Sequence, residues 1–511
     1  MESNITQVNG TSWMLTGLEL MSTLFIFVVG TILLIVIIIF IFDVTQSKQA
    51  IRRNFPVIGH FRYVFEKLGE FFRQYFFAMD REELPFNRAQ RNWAYRAAKN
   101  LNNTAAFGST RDLHPVGTVL FVNCPFPTLE VDATPVAPVT IGPYCKHPYE
   151  TDKFFHISGM SYGAISRPAV LALSQGAYKA GCWMNTGEGG LTPYHLEGGA
   201  DLVFQIGTAK YGVRNQVGEL DDDRLREVAA HVQVRMFEIK LSQGAKPGKG
   251  GILPAAKVTN EVAIIRGIKP YADSISPNRH PDINSVSELL DMIERIRNVT
   301  GKPCGFKAVI GAYGWIEQLC EAINQRGIES APDFITVDSA DGGTGAAPMA
   351  LMDDVGLPLR EALPRVLDAL KRYGLRDRVK VVSSGKMITP TEVAAALCMG
   401  VDFVVSARGF MFSLGCIQAM QCNKDTCPTG VTTHNPRLQK GLNPHHKAVR
   451  VMHYQQNMER EVGTIAHSCG VYEPRQLRRF HARVVMENGL SKGLDELHPE
   501  PPEPEKTDTA G

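Results

Sequence analysis

Residues 379–409 read VKVVSSGKMITPTEVAAALCMGVDFVVSARG. Two β-rich runs, Val379 to Ser383 and Asp402 to Ser406, flank Thr391 to Met399, which is apolar at three-to-four spacing. Strand, amphipathic helix, strand is the pattern of a parallel pair joined by a crossover. The alternation runs back to about residue 150. It predicts strands at Phe154 to Ser158, Cys182 to Asn185, Leu202 to Ile206, Met236 to Leu241, Gly305 to Ile310 and Phe334 to Asp338, with helices at Arg167 to Ala180, Ile316 to Arg326 and Arg360 to Tyr373. Eight such strands predict a closed (β/α)8 TIM barrel, an α/β fold, across residues 151–435. The connections 212–235 and 244–300 exceed ordinary crossovers and are read as insertions in loops three and four.

In such a barrel the chemistry sits at the carboxyl ends of the strands, and a phosphate commonly lodges between the loops after strands seven and eight. Here those ends read Ser383-Ser384-Gly385-Lys386 and Ser406-Ala407-Arg408-Gly409, offering backbone N–H groups and two cations to a phosphate dianion. A glycine after a strand is also an ordinary turn residue; the pairing at strands seven and eight separates the two readings. The other strand ends carry Gly159-Met160-Ser161-Tyr162-Gly163, Asn185-Thr186-Gly187-Glu188-Gly189-Gly190, Gln243-Gly244-Ala245-Lys246-Pro247-Gly248 and Asp341-Gly342-Gly343-Thr344-Gly345. Close backbone, polar donors and a nearby cation suit a flat, polar ring system that gains negative charge on reduction. Met160, Ser161, Thr186, Gln205, Gly343, Gly345, Gly385, Lys386, Ala407 and Arg408 are the expected lining, with Lys307 inside strand five as the cation. The competing reading is a lysine that reaches solvent from a strand end, and it weighs more on Lys240 than on Lys307.

The chain has 511 residues, 44% hydrophobic and 21% charged, and Lys+Arg 54 against Asp+Glu 52 leaves a net charge of +2, so no global field recommends nucleic acid as a partner. Met21 to Phe42 is free of charge and long enough to cross a hydrocarbon core of roughly 30 Å. Residues 1–20 lack the basic start of a signal peptide and are expected as a short non-cytoplasmic terminus. Lys48, Arg52, Arg53, Arg62, Lys67 and Arg73 follow the span, predicting a single-pass membrane protein with its barrel in the cytoplasm. A buried core helix is the alternative for the apolar run. Residues 43–150 form a basic, aromatic lead-in that either lies near lipid headgroups or packs on the main domain. Residues 436–490 are expected as a helical extension, and 491–511, with Pro499, Pro501, Pro502 and Pro504, as a disordered tail.

Ten cysteines are too few for a disulfide scaffold in a chain of this length. Cys416, Cys422 and Cys427 stand at Cys-x5-Cys-x4-Cys directly after strand eight. Three thiolates suit an iron–sulfur cluster with one iron missing, or a zinc completed by His434, His445 or His446; three thiols without metal are the third reading. Cys124, Cys145, Cys182, Cys304, Cys320, Cys398 and Cys469 lack such spacing and are read as packing residues.

Over roughly residues 154–435 the sequence resembles the FMN-binding synthase domain of glutamate synthases. The resemblance rests on GMSYGAIS at 159–166, NTGEGG at 185–190, QGAKPG at 243–248, DGGTGA at 341–346 and N-x-x-T-C-P-x-G-V at 423–431. It implies a barrel carrying FMN beside a [3Fe–4S] cluster on Cys416, Cys422 and Cys427, and reductive amination of 2-oxoglutarate with ammonia to L-glutamate. By motif position it implies Glu188 as the group handling protons near the imine, Lys246 as the lysine near the keto acid, and Gln243 and Arg266 on the substrate side. A carboxyl in a water-poor pocket is expected to titrate nearer neutrality, and an arginine to hold a carboxylate by two bonds; for Arg266 a solvated helix face is the alternative. Departures from the family are also legible. No glutamine-splitting domain precedes the barrel, so ammonia is expected free or from a separate amidotransferase, and electrons from a ferredoxin-like carrier or a reductase subunit. Gly248-Lys249-Gly250-Gly251-Ile252 stands where the family usually reads Gly-Glu-Gly-Gly-Gln, and Ser384-Gly385-Lys386 where many members read Asp-Gly-Gly. These departures keep two other readings open: the same cofactors acting on another amino or keto acid at the membrane, and a non-catalytic electron-relay subunit.

Overall fold

In the computed structural model, which describes residues 3–502 apart from Tyr313, eight parallel strands close into a barrel. They are β1 (Phe155–Ile157), β2 (Met184–Asn185), β3 (Leu202–Ile206), β4 (Val234–Lys240), β5 (Cys304–Val309), β6 (Phe334–Asp338), β7 (Lys380–Ser384) and β8 (Phe403–Ser406), each hydrogen-bonded to the next and β8 to β1. All eight expected strands are present, with ends shifted by one or two residues. The helices that follow them are α1 (Arg167–Ala180), α2 (Pro193–Glu197), α3 (Asp222–Ala230), α4 (Val286–Thr300), α5 (Trp315–Arg326), α6 (Leu359–Arg372), α7 (Pro390–Met399) and α8 (Arg408–Leu414). Local chemistry fixes their ends: Ser166 caps α1 by accepting from the Ala169 N–H, and Gly181 closes it at φ 73°.

Two connections differ in kind. The third, read as an insertion, is an ordinary crossover: Asp221 caps α3, and a bridge between Arg214 and Leu220 folds the loop ahead of it. The fourth is a true insertion, in which an antiparallel pair, Ile252–Leu253 with Ser274–Ile275, encloses the short helix Asn260–Arg266.

Apolar residues fill the amino-terminal half of the barrel. Trp183, Val203, Met236, Phe334, Val382, Phe403 and Val405 meet Ile141 and Tyr149, which the hairpin Val139–Ile141/Tyr149–Thr151 brings across the barrel floor. His156 stacks on Trp183 with ring centroids 3.3 Å apart. Burial drives its pKa well below the usual imidazole range, and a neutral ring satisfies both neighbours, accepting from the Trp183 N–H and donating to the Lys153 carbonyl. Outside, α9 (Pro444–Ser468) packs on α1. A Cβ on Gly176 would lie 2.4 Å from Val451, so the absence of a side chain sets how closely these helices approach.

After α9 the chain is not helical throughout. Ala482–Val485 pairs with Val119–Phe121 and with Ser491–Gly493 in a three-stranded sheet, and Leu494–Leu497 forms a helical turn. The expected tail is therefore ordered over its first part. Backbone pairing and the Lys371–Glu500 ion pair hold it where composition alone offers no core. Pro504 and everything from 503 on lie outside the described residues, as do Met1 and Glu2.

The chain divides into two compact units at Arg88. In the first, a helix runs from Ser3 to Thr45 and contains the expected span. Trp13–Thr45 is long and apolar enough to cross a membrane, and its most apolar stretch has no buried residue. Short helices follow at Ala50–Asn54 and Gly59–Phe72, then a π-helical turn at Arg73–Phe77.

Candidate active site

Above the apolar layer the barrel turns polar. Glu238 of β4, 3% exposed, accepts hydrogen bonds from Asn185 (2.8 Å), Gln205 (2.7 Å) and Thr336 (2.6 Å), donors contributed by β2, β3 and β6. A carboxylate so buried is tolerable only because it is fully bonded. Next to it Lys307 of β5 places Nζ 3.3 Å from Asp338 Oδ2. Burial works to lower the Lys307 pKa, and the Asp338 and Glu238 carboxylates more than reverse it. Lys307 is therefore an interior, charged ammonium, and the solvent-reaching alternative falls away.

At the carboxyl ends lie two adjoining cavities. The first is lined by Ser161, Gln205, Lys240, Lys307, Gly343, Gly385, Lys386, Ala407 and Arg408. The second shares Ser161, Gln243, Gly343, Ala407 and Arg408 with it and adds Met160, Glu188, Lys246, Ile252, Arg266, Gly345 and Cys422. Sequence motifs more than 200 residues apart thus meet at one mouth. Lys386 reaches Asp341 at 2.9 Å and also lines the first cavity. One expected residue belongs elsewhere: Thr186 is fully buried, donates to the Gly187 carbonyl and accepts from the Gln205 N–H, and lines neither cavity. Its hydroxyl is consumed in shaping the loop after β2.

Glu188, 9% exposed, is caged by cations. Lys240 Nζ stands 3.0 Å from its Oε1, and Lys246 and Arg266 add their charge. Burial alone would raise the Glu188 pKa, but the three cations overturn it, and the carboxyl titrates below the usual range. The expected shift toward neutrality is thereby corrected: desolvation is present but outweighed. A Cβ on Gly251 would lie 2.2 Å from Oε1, so any side chain there would displace this carboxylate from its place. Lys246 donates to the Ala346 carbonyl (3.1 Å), and burial together with Lys240 lowers its pKa to about 8, against the opposing pull of Glu188. Arg266 ends the short inserted helix and is 5% exposed, so it does not lie on a solvated face. Its guanidinium lies over the Tyr211 ring and donates to the Tyr162 carbonyl, while Nε is buried without a hydrogen-bond partner. Gln243 donates to the Thr344 hydroxyl at 3.3 Å. Lys240 is the cavity-lining residue that the sequence reading discounts; its register opposite Lys307 on β5 turns it inward, a signal that only strand pairing supplies.

Of the three spaced cysteines, Cys416 and Cys427 are buried and Cys422 lines the second cavity. Burial raises the Cys416 thiol while Arg408 opposes it. Burial acts likewise on Cys427, but hydrogen bonds with Thr429 and Thr432 bring it below its ordinary value. Arg408 also donates to Cys422 Sγ at 3.6 Å. Among the described residues no group of three His, Cys, Asp or Glu side chains is disposed to hold a metal. His434 bonds through Nε2 to the Gly163 carbonyl, and His445 and His446 are exposed on the first turn of α9.

A TIM barrel whose carboxyl-terminal mouth joins an anion-suited pair of turns to a cation-caged carboxylate is an enzyme's site. A model of the conserved region in glutamate synthase matches residues 126–472, and the chain belongs to that family of oxidoreductases. It is 39% identical to the glutamate synthase large subunit-like protein YerD of Bacillus subtilis (strain 168), over 92% of this chain and 97% of that protein. It is 33% identical to an archaeal-type glutamate synthase [NADPH] of Dehalococcoides mccartyi over 65% of this chain, which accounts for 63% of that protein. Against the glutamate synthase [NADPH] large chain of Bacillus subtilis, 32% identity covers 56% of this chain and only 18% of the relative. Among solved structures, a flavocytochrome b2 mutant with benzoylformate aligns over 77% of this chain and 78% of its own at 13% identity and a TM-score of 0.43, too loose a likeness to bear on the site.

Proposed function

We propose that the protein reductively aminates 2-oxoglutarate with ammonia to L-glutamate, using FMN and a [3Fe–4S] cluster. The observation that carries the reading is the cage of Lys240, Lys246 and Arg266 around Glu188, in a cavity that shares a wall with the Gly385–Lys386 and Ala407–Arg408 turns. The donor chemistry fits a flavin phosphate at those turns and an isoalloxazine against Met160, Ser161, Gln205, Lys307, Gly343 and Gly345. Cys416, Cys422 and Cys427 are of the ligand type an iron–sulfur centre takes, and the cations Arg408 and Lys257 beside Cys422 favour thiolate; their side chains are not gathered around one point in this structure, so the cluster reading rests on spacing and chemistry. When bound, FMN supplies hydride at its ring and the cluster supplies electrons singly.

The chain's own residues do the rest. Lys246 and Arg266 hold a dicarboxylate by charge. Glu188, kept ionised, accepts a hydrogen bond from ammonia and aims the nitrogen lone pair at the keto carbon. Lys246, protonated below about pH 8, polarises the carbonyl oxygen and gives a proton to the water that departs. The electron donor is a ferredoxin-like carrier or a reductase subunit, and ammonia arrives free or from a separate amidotransferase. The span Trp13–Thr45 anchors the chain, with the barrel on the cytoplasmic side where Lys48, Arg52 and Arg53 follow.

A second reading keeps the cofactors and changes the keto or amino acid. Ile252, an apolar side chain in the wall of the second cavity, favours it. An electron-relay role has no use for a carboxylate caged by three cations. The deciding experiment is anaerobic: flavin and iron–sulfur absorbance is recorded, the protein is reduced, and 2-oxoglutarate is added with ammonium. Flavin reoxidation with glutamate formation is expected. A flavin that stays reduced rejects 2-oxoglutarate, and a colourless, iron-free protein rejects both cofactor readings.

A further inference from the structure

Residues 59–77 are an amphipathic segment for which the rest of the first unit provides no cover. Phe61, Phe65, Phe71 and Phe76 are each more than half exposed, and Leu68 and Phe72 are exposed with them. At about 100° per residue these side chains share one stripe, while Arg62, Glu66 and Arg73 lie opposite. Their rings meet along the stripe, Phe61 and Phe65 stacked with centroids 6.4 Å apart and Phe72 and Phe76 tilted at 5.5 Å. A soluble surface rarely leaves so large an apolar strip uncovered.

The start of the segment is fixed to the end of the apolar helix. Asp43, 2% exposed, accepts from the Val57 N–H at 2.9 Å and pairs with His60 Nε2 at 2.9 Å. Gln46 bonds to the Asp43 and Gln49 carbonyls and accepts from the Gln49 N–H, and Arg52 lies over the Tyr63 ring. This elbow leaves only residues 46–58 between the span and Gly59, so the stripe stays within reach of the surface from which the span emerges.

We infer that residues 59–77 lie in the plane of the bilayer interface as a second membrane-binding element, with the aromatic stripe in the acyl boundary and the basic residues at anionic headgroups. The inference rests on the proposed membrane span. Aromatic rings with interspersed Arg and Lys are the composition the interface selects. Arg52, Arg53, Arg62 and Lys67 favour an anionic lipid surface over a second, equally basic copy of the same segment.

The test uses the full chain in vesicles of phosphatidylcholine and phosphatidylglycerol doped with a diazirine-acyl lipid, with photo-adducts mapped by mass spectrometry. Adducts are expected within Trp13–Thr45 and again at Phe61, Phe65, Leu68 and Phe72, but not at Arg62 or Glu66. The double variant F65D/F72D should lose the second set and keep the first. Adducts confined to the span overturn the inference and leave the anchor standing, as do cross-links between copies at residues 61–76 in place of lipid adducts. Adducts in neither region remove the anchor and the inference together.

Discussion

Lys246 is held between opposing influences: burial and Lys240 strip its proton, and Glu188 keeps it. Its pKa of about 8 means the ammonium is present below that pH and lost above it. If the charge binds and polarises the keto acid, the rate of flavin reoxidation by 2-oxoglutarate and ammonium falls as pH rises through about 8. Lys246→Arg, whose charge persists, abolishes that limb, and Lys246→Ala leaves FMN bound but slows the step roughly 100-fold or more. Glu188→Gln removes the carboxylate that supports the Lys246 proton and moves the limb to lower pH. Stopped-flow reoxidation across pH reads all three. The cysteine loop has its own test: Cys422→Ala should abolish the iron–sulfur electron paramagnetic resonance signal and keep flavin absorbance, and a retained signal would remove Cys422 from the ligand set. Much of this site is legible in the sequence because the glycine motifs stand at strand ends that the barrel brings to one mouth. Lys240 and Thr186 mark the limit. A lysine near a strand end reads alike whether it faces solvent or a carboxylate, and a loop threonine reads alike whether its hydroxyl serves a ligand or its own backbone.

At the scale of elements, strand periodicity carries nearly the whole barrel, since a parallel strand buried on both faces leaves an uninterrupted apolar run. The third connection was misjudged because its length alone cannot distinguish a wandering loop from a short helix with a folded approach. The ordered stretch 491–497 is not legible in composition because Ser491–Gly493 pairs with Ala482–Val485, a strand itself held by Val119–Phe121 more than 350 residues earlier in the chain. The packing of α9 on the barrel contains a titration of its own. Glu459 accepts from the Phe154 N–H and pairs with Lys153, yet burial outweighs both and raises its pKa to about 7. A raised carboxyl pKa contributes stability below the unfolded value near 4.5 that is lost as pH rises through about 7. Glu459→Gln should therefore be more stable than the parent at pH 8 and gain little or nothing at pH 4, as read by thermal unfolding at both. An equal change at the two pH values would show that the side chain acts by shape alone.

The whole molecule joins a long apolar helix to a barrel that needs none of that helix's residues for closure. Every strand of the barrel, the hairpin on its floor and the three-stranded sheet of the carboxyl terminus lie between residues 119 and 493. The two units part at Arg88, just where the helix Arg88–Ala98 begins. A chain lacking residues 2–86 should accordingly stay in the aqueous phase on detergent partitioning, bind FMN with the spectrum of the full protein, and retain its reoxidation by 2-oxoglutarate and ammonium from an artificial reductant. The full chain should partition with detergent. If the shortened protein keeps its flavin and its reaction with an artificial reductant but loses turnover supported by isolated membranes, the anchor serves electron delivery rather than folding. If it instead aggregates or loses flavin, the first 88 residues belong to the fold of the catalytic unit, and the division at Arg88 has no thermodynamic meaning.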